Sequence, residues 1–280
     1  MHDRSVHGVR VPAFLYGTAW KEDDTRRLTL LALENGFTGI DTANQRRHYH
    51  EAAVGAGIAD FLAGHGGTRD ALFLQTKFTH LRGQDHRLPY DPRAAVATQV
   101  EQSYRSSLEH LGTERLDSLV LHGPSSATTL TDEDWQAWHA MEGIARAGGA
   151  RLLGISNVTR AQLELLLSRA GVAPAFVQNR CYARRGWDRE VRSLCAAQGI
   201  LYQGFSLLTA NADATRHPTL RAIAARHSST VAQVVFAFAL AVGMLPLTGT
   251  TRDAHMREDL ASRDLELRAD EIERIESVVG

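Results

Sequence analysis

Short runs of Val, Leu, Ile and Phe recur along the chain, separated by longer stretches in which apolar residues return every three or four positions. The runs occupy residues 14–18, 37–41, 72–77, 116–122, 152–156, 176–178, 201–206 and 245–248. Their length and composition predict strands. The stretches between them, among them 23–35, 91–111, 132–147, 159–168 and 188–197, predict amphipathic helices, many opening on an Asp or Thr suited to an N-cap. The most apolar stretch, 231–247, is interrupted by Gln233, Gly243 and Pro246, and reads as a buried helix followed by a strand rather than a membrane span. Even strand–helix alternation without a linker, repeat or low-complexity tract predicts an α/β fold: one closed (β/α)8 TIM barrel, a single domain over residues 1–280.

The ends of the runs carry the chemistry. Asp41, Lys77, His122, Ser156 with Asn157, Gln178, Ser206 and Thr248 each close an apolar run at its C-terminal end. In a parallel barrel those ends share one face, the face on which such barrels carry active sites. One polar residue at a strand end is ordinarily a turn former, but a set of them around one rim is a constellation. A phenol, with an ordinary pKa of about 10, donates a proton near neutrality when something stabilises its phenolate. An ammonium within ~4–6 Å does so, and Lys77 is the candidate. A carboxylate on the adjacent strand, Asp41, would keep a buried Lys77 charged, and His122 on the next strand would orient a carbonyl oxygen.

At this point the residues carry a resemblance. The segment from Gly36 to Asn44, the stretch from Tyr49 to Gly55, Thr76-Lys77, Leu121-His122 with Gly123 and Pro124, and Gly154 to Asn157 follow, in order, the landmarks of the aldo-keto reductase family. The resemblance implies a nicotinamide-dependent oxidoreductase that reduces an aldehyde or ketone to an alcohol, with a small carbonyl compound as substrate. It implies Tyr49 as general acid, Lys77 and Asp41 as its tuners and His122 as the orienting group. In the family's common pattern the tyrosine stands where this chain has Arg46, and Tyr49 lies three residues further on. Arg46 and Arg47 in that longer loop are expected at the pocket mouth, where they would favour substrates bearing a carboxylate or phosphate. Trp20 resembles a pocket aromatic of the family, and Gly123 follows His122 where many members have tryptophan.

The resemblance further implies an extended cofactor across the mouth. Ser156, Asn157 and Gln178 would hold the nicotinamide carboxamide, and Phe205 would lie against the ring. Ser206 and Leu208 would follow the phosphates, together with the segment from Leu247 through Thr248, Thr250, Arg252, His255, Arg257 and Glu258 to Asp259. The family commonly clamps the 2′-phosphate with a lysine after the proline of the eighth strand and an arginine beyond it; here Leu247 follows Pro246 and His255 stands nearest the arginine's place. Arg252, Arg257 and the hydroxyls of Thr248, Thr250 and Thr251 would replace part of that clamp, so NADPH is expected as the cofactor with NADH usable. Two other classes fit the same residues: a cofactor-binding regulatory protein with little turnover, and a Schiff-base lyase with Lys77 as nucleophile.

Composition narrows the field. With 31 basic and 32 acidic residues, a net charge of −1 and no basic stripe, nucleic acid and membrane surfaces are not expected as partners. Cys181 and Cys195 form no CxxC pair and read as reduced thiols, and the polar N-terminus lacks the apolar core of a signal peptide, so a cytoplasmic location is expected. No Rossmann GxGxxG follows a strand, Ser125 and Ser126 lie outside any GxSxG, and His48 and His50 lack a third ligand, so no metal site is expected. Trp135, Trp138 and Trp187 read as packing residues.

Overall fold

The structure is a computed structural model that describes residues 3–278. It opens on a hairpin, β1 (Arg4–Val6) and β2 (Val9–Val11), whose three-residue strands are too short to show a period. His7 and Gly8 both take positive φ, 47° and 77°, as a tight two-residue turn between twisted strands requires.

Eight parallel strands then follow: β3 (Leu15–Gly17), β4 (Gly39–Asp41), β5 (Phe73–Phe78), β6 (Leu116–Leu121), β7 (Ala150–Ser156), β8 (Phe176–Arg180), β9 (Leu201–Phe205) and β10 (Leu245–Thr248). Each pairs with its neighbours in chain order and β10 returns to β3, closing the barrel. The helices are α1 (Thr25–Glu34), α2 (Glu51–His65), α3 (Val96–Leu111), α4 (Asp132–Arg146), α5 (Arg160–Arg169), α6 (Arg189–Ala197), α7 (Ala212–Arg216), α8 (Pro218–Arg226), α9 (Val231–Ala241), α10 (Asp253–Ala261) and α11 (Ala269–Glu276). The expected helix over 91–111 begins only at Val96, because Asp91 to Ala94 fold into a turn closed by the Ala94 N–H on the Asp91 carbonyl.

Successive side chains on a strand point to opposite faces, and this period of two sorts the barrel. One parity, with Tyr16, Ile40, Leu74, Leu119, Ile155 and Val177, packs outward against the helices. The other fills the interior: Leu15, Phe73, Leu152, Phe176, Leu201 and Leu245 form an apolar floor. Val9 and Val11 of the hairpin join that floor, so the hairpin plugs the barrel's N-terminal end. Arg4 fastens the plug by donating from Nη1 to the Gly243 carbonyl at 2.7 Å. Towards the C-terminal end the inward parity turns polar, through Asp41, Gln75, Lys77, Ser118, Gln178 and Gln203, all buried. Trp135, Trp138 and Trp187 are buried in the outer core, and both cysteines are free and buried.

Candidate active site

Beneath the barrel mouth Asp41 and Lys77 are 3% and 1% exposed. The Lys77 ammonium donates to Asp41 Oδ2 at 2.7 Å, Asp41 Oδ1 at 2.8 Å and the Thr42 carbonyl at 2.8 Å. All three ammonium hydrogens are thereby used, which leaves Lys77 a fixed cation rather than a free amine nucleophile. Asp41 Oδ1 also accepts from Gln75 Nε2 at 2.7 Å and Gln178 Nε2 at 2.9 Å. Those two amides donate again to Gln203 Oε1, at 2.8 and 2.9 Å, and Gln203 Nε2 returns a bond to Gln75 Oε1 at 3.0 Å. The result is a closed ring of amides around one carboxylate, and satisfying every member is what makes a buried charge tolerable.

The longer loop after β4 is accommodated locally. Gln45 offers its carbonyl to the N–H groups of both His48, at 3.2 Å, and Tyr49, at 3.0 Å, so residues 46–48 fold into one turn. Tyr49 therefore arrives just before α2, whose first residue, Glu51, is buried and tied to Thr76 of β5 and, at 3.0 Å, to His110. Gly55 lets α2 lie against α3: a Cβ there would stand 1.9 Å from the His110 carbonyl oxygen. These contacts set the Tyr49 ring over Lys77, with Nζ 5.3 Å from its centroid. The His122 ring meets it edge-on at 5.9 Å and 70°. Asp41, Lys77, Tyr49 and His122, scattered over β4, the following loop, β5 and the end of β6, thus meet at one mouth.

The electrostatics correct one expectation. Lys77 does not lower the phenol: burial, and then the Asp41 carboxylate, hold the Tyr49 pKa well above its ordinary 10. Burial lowers Lys77 while Asp41 and Glu51 oppose that. Burial, with the charge of Lys77, pushes His122 down to about 3, so its imidazole is neutral near pH 7. His122 Nδ1 sits 2.7 Å from Thr79 Oγ1; with the hydroxyl as donor, Nε2 carries the proton. Thr79, Gln75 and Gln203 are absent from the sequence reading. The signal for the first two was the alternation Gln75, Lys77, Thr79 along β5 and into the residue just past it.

The expected cofactor residues fall on two arcs. On β7 and β8, Ser156 Oγ donates to the Gln178 carbonyl at 2.7 Å, and Asn157 Nδ2 donates to the His122 carbonyl at 2.8 Å and Ser156 Oγ at 3.0 Å. Gln178 spends both amide hydrogens inside the barrel, so what Gln178 and Asn157 offer the mouth are carbonyl oxygens, suited to a carboxamide N–H. Asn157 and Ser206 hold left-handed backbones, φ 57° and 56°, each just past a strand end. Phe205 is half-buried, while Leu208 packs against the outer core and Leu247 joins the interior cluster.

The second arc runs along β10 and α10. Thr248 Oγ1 donates to Asp259 Oδ2 at 2.7 Å, and burial pushes the Asp259 carboxyl up to about 6. Arg257 pairs with Asp253 at 2.6 Å and reaches Asn35; Arg252, Thr251 and His255 are exposed, and Thr250 and Glu258 half-buried. At the rim, Trp20 is 68% exposed, takes φ 61° and stacks on His48 at 4.0 Å between centroids. In the same turn Arg46 is half-buried, with its carbonyl accepting from Arg87 Nη2 at 3.1 Å, and Arg47 is exposed; burial and then Arg47 lower the His48 pKa, and burial and then Arg46 that of His50.

Comparison with known proteins bears on the family and the fold. The model of the Aldo/keto reductase family matches residues 14–279. A glyoxal reductase of Bacillus subtilis (strain 168) is 27% identical, over 97% of this chain and 90% of its own. Deoxymugineic acid synthase 1 of Hordeum vulgare is 30% identical, over 99% of this chain and 90% of its own. Among solved structures, an aldo/keto reductase from Brucella melitensis superposes with a TM-score of 0.82 at 23% identity, covering 98% of both chains, a likeness of fold. With the family matched over nearly its whole length, this chain belongs to the aldo/keto reductases.

Proposed function

We propose that the protein reduces small aldehydes and ketones to alcohols with a reduced nicotinamide cofactor, NADPH in preference to NADH. The observation that carries this reading is the stacking of Tyr49 over a Lys77 ammonium that Asp41 holds fixed, with a neutral His122 against the same ring. Small dicarbonyls are the favoured substrates, since relatives about as similar are named glyoxal and methylglyoxal reductases. The residues fit the cofactor: the Gln178 and Asn157 amides donate their hydrogens within the protein and keep their oxygens as acceptors, and Phe205 offers a half-buried ring on the next strand. When bound, a reduced nicotinamide supplies the hydride.

The chain's own residues do the rest. His122, neutral and with Thr79 on Nδ1, presents its Nε2–H to the substrate's carbonyl oxygen, which both positions and polarises it. Tyr49 carries its proton at neutral pH because burial keeps the phenol undissociated. As the carbonyl carbon is reduced, negative charge grows on oxygen, and an alkoxide is a stronger base than a phenolate. Tyr49 gives up its proton to that oxygen, and the nearby Lys77 ammonium stabilises the phenolate left behind. Lys77 therefore acts on the product of proton transfer rather than by acidifying the resting phenol.

The test is Tyr49→Phe, assayed by cofactor oxidation with glyoxal, methylglyoxal and simple aldehydes. We expect kcat to fall by at least ~100-fold with cofactor affinity nearly unchanged. Undiminished turnover would remove Tyr49 from the reaction.

A further inference from the structure

Outside the cluster just described, the ends of β7 and β8 and the first turns of α5 and α6 enclose a cavity of about 590 Å³. Its lining includes Asn157, Arg160, Arg180, Tyr182, Arg185 and Arg189, with Asp188 and Glu190 as its carboxylates. Two of the four arginines are already paired, and the Asp188 carboxylate has neutral donors. Arg160 pairs with Glu164 at 2.8 Å and Arg189 with Glu276. Asp188 Oδ2 accepts from Asn179 Nδ2 at 2.9 Å and from the Tyr202 hydroxyl at 2.8 Å.

Arg180 and Arg185 are different. Among the described residues neither has a carboxylate partner; both lie over the Tyr182 ring, 5.9 and 5.6 Å from its centroid, with Arg184 also there at 4.9 Å. Three guanidinium groups around one ring repel one another, and the two carboxylates of the lining, Asp188 and Glu190, are fewer than these three cations. The adjoining wall of the cavity is the start of α6, which has no side-chain cap, although the Arg189 N–H is taken by the Gly186 carbonyl. This wall is also rigid. Gly186, Trp187 and Asp188 take consecutive left-handed φ values of 61°, 55° and 57°, a conformation that side chains such as those of Trp187 and Asp188 rarely adopt. Burial of Trp187, its Nε1–H on the Ile275 carbonyl at 3.0 Å, and the two bonds to Asp188 hold it.

We propose that this cavity binds a small phosphate-bearing ligand, held by the guanidinium groups of Arg180 and Arg185 beside the uncapped first turn of α6. Two guanidinium groups without carboxylate partners, each a planar multiple donor, call for an acceptor with several oxygens and about two negative charges, which a phosphate has and a single carboxylate lacks. The concave volume and the near-neutral net charge favour a small molecule over nucleic acid or a lipid surface. The site shares Asn157 with the mouth but none of Asp41, Lys77, Tyr49 or His122, so it stands or falls apart from carbonyl reduction.

The experiment is a calorimetric titration of inorganic phosphate, and separately of glycerol phosphate, into enzyme saturated with NADPH, so that the cofactor's own phosphate sites are filled. Sodium chloride at matched ionic strength and acetate are the controls, and nicotinamide fluorescence verifies saturation first. We expect saturable binding of at least one of the two phosphates. Affinity should fall at least ~10-fold in Arg180→Gln/Arg185→Gln, with circular dichroism unchanged, and stay the same in Arg105→Gln, an exposed arginine of α3. No phosphate binding beyond the chloride response, equal binding of acetate, or full affinity in the double variant would overturn the assignment.

Discussion

At the β4–β6 side of the mouth Asp41 and Lys77 are almost wholly buried and every ammonium hydrogen has an acceptor, whereas along the segment from Thr248 to Asp259 the cations are exposed. Arg257 is there bonded to its own helix neighbour Asp253, and Arg252 projects without a side-chain partner among the described residues. Charges in a dry site interact strongly and tolerate no missing member, while exposed charges are screened and individually worth about 1 kcal/mol or less. The difference teaches that the reacting end is preorganised and unforgiving. The cofactor-phosphate end, in contrast, is assembled from replaceable parts.

The hardest test of that contrast is Lys77→Met. It leaves the Asp41 carboxylate buried with only Gln75 and Gln178 as donors, and breaking a buried pair in this way costs about 3–5 kcal/mol. We expect a lower denaturation midpoint and a loss of kcat of at least ~100-fold, read by urea unfolding and cofactor oxidation. The double variant Asp41→Asn/Lys77→Met should recover part of the stability but none of the activity. A Lys77→Met enzyme with normal stability and turnover would show that the buried pair is not what organises the mouth.

Which parts of this arrangement are legible in one dimension follows from what each depends on. The eight strands show in the sequence because a strand buried on both faces needs a continuous apolar run, and Asp41, Lys77 and His122 stand out as polar breaks at the ends of such runs. The hairpin of β1 and β2 escapes notice because three residues carry no period. Gln203 escapes for another reason: its partner Gln75 lies 128 residues away, and only closure of the barrel brings their amides to 2.8 Å. Closure also brings the Gln178 amide N–H to Asp41, 137 residues away, a contact that its place at a strand end does not announce. Likewise, the pKa of Tyr49 depends on burial and on the distance to Asp41, neither of which a spacing along the chain contains.

At the exposed end the expected effects are smaller and differ between the two arginines. Arg252 has no carboxylate to leave, so we expect Arg252→Ala to weaken NADPH binding by about 10-fold, the value of one charged hydrogen bond. Arg257 must first part from Asp253, and Arg257→Ala should cost less. NADH affinity should scarcely move in either variant, and the difference between the cofactors should shrink as salt is raised. Fluorescence titrations at two ionic strengths check this; a preference for NADPH above ~1000-fold that survives both substitutions would place the 2′-phosphate elsewhere.

Asp259 joins the two regimes, since it belongs to the cofactor segment yet is 3% exposed like the buried pair, and it has a hydroxyl rather than a cation for company. Burial raises its carboxyl to about 6, and the Thr248 hydrogen bond and His255 offset this only in part. Unfolded, the same group titrates near 4. The folded protein thus holds this proton more tightly, so the stability contributed by protonated Asp259 is complete below about pH 4 and is lost as pH rises through about 6. Above that, a carboxylate sits in a site that prefers a neutral group. Asp259→Asn keeps an oxygen for Thr248 and removes the charge, so the variant should be more stable than the parent at pH 8, by on the order of 1–2 kcal/mol. The advantage should shrink towards pH 4, where the parent is neutral as well. Thermal unfolding midpoints of both proteins between pH 4 and 8 measure it, and a gap that is constant across that range, or an Asp259→Asn variant less stable than its parent at pH 8, would show that burial does not hold the proton on Asp259.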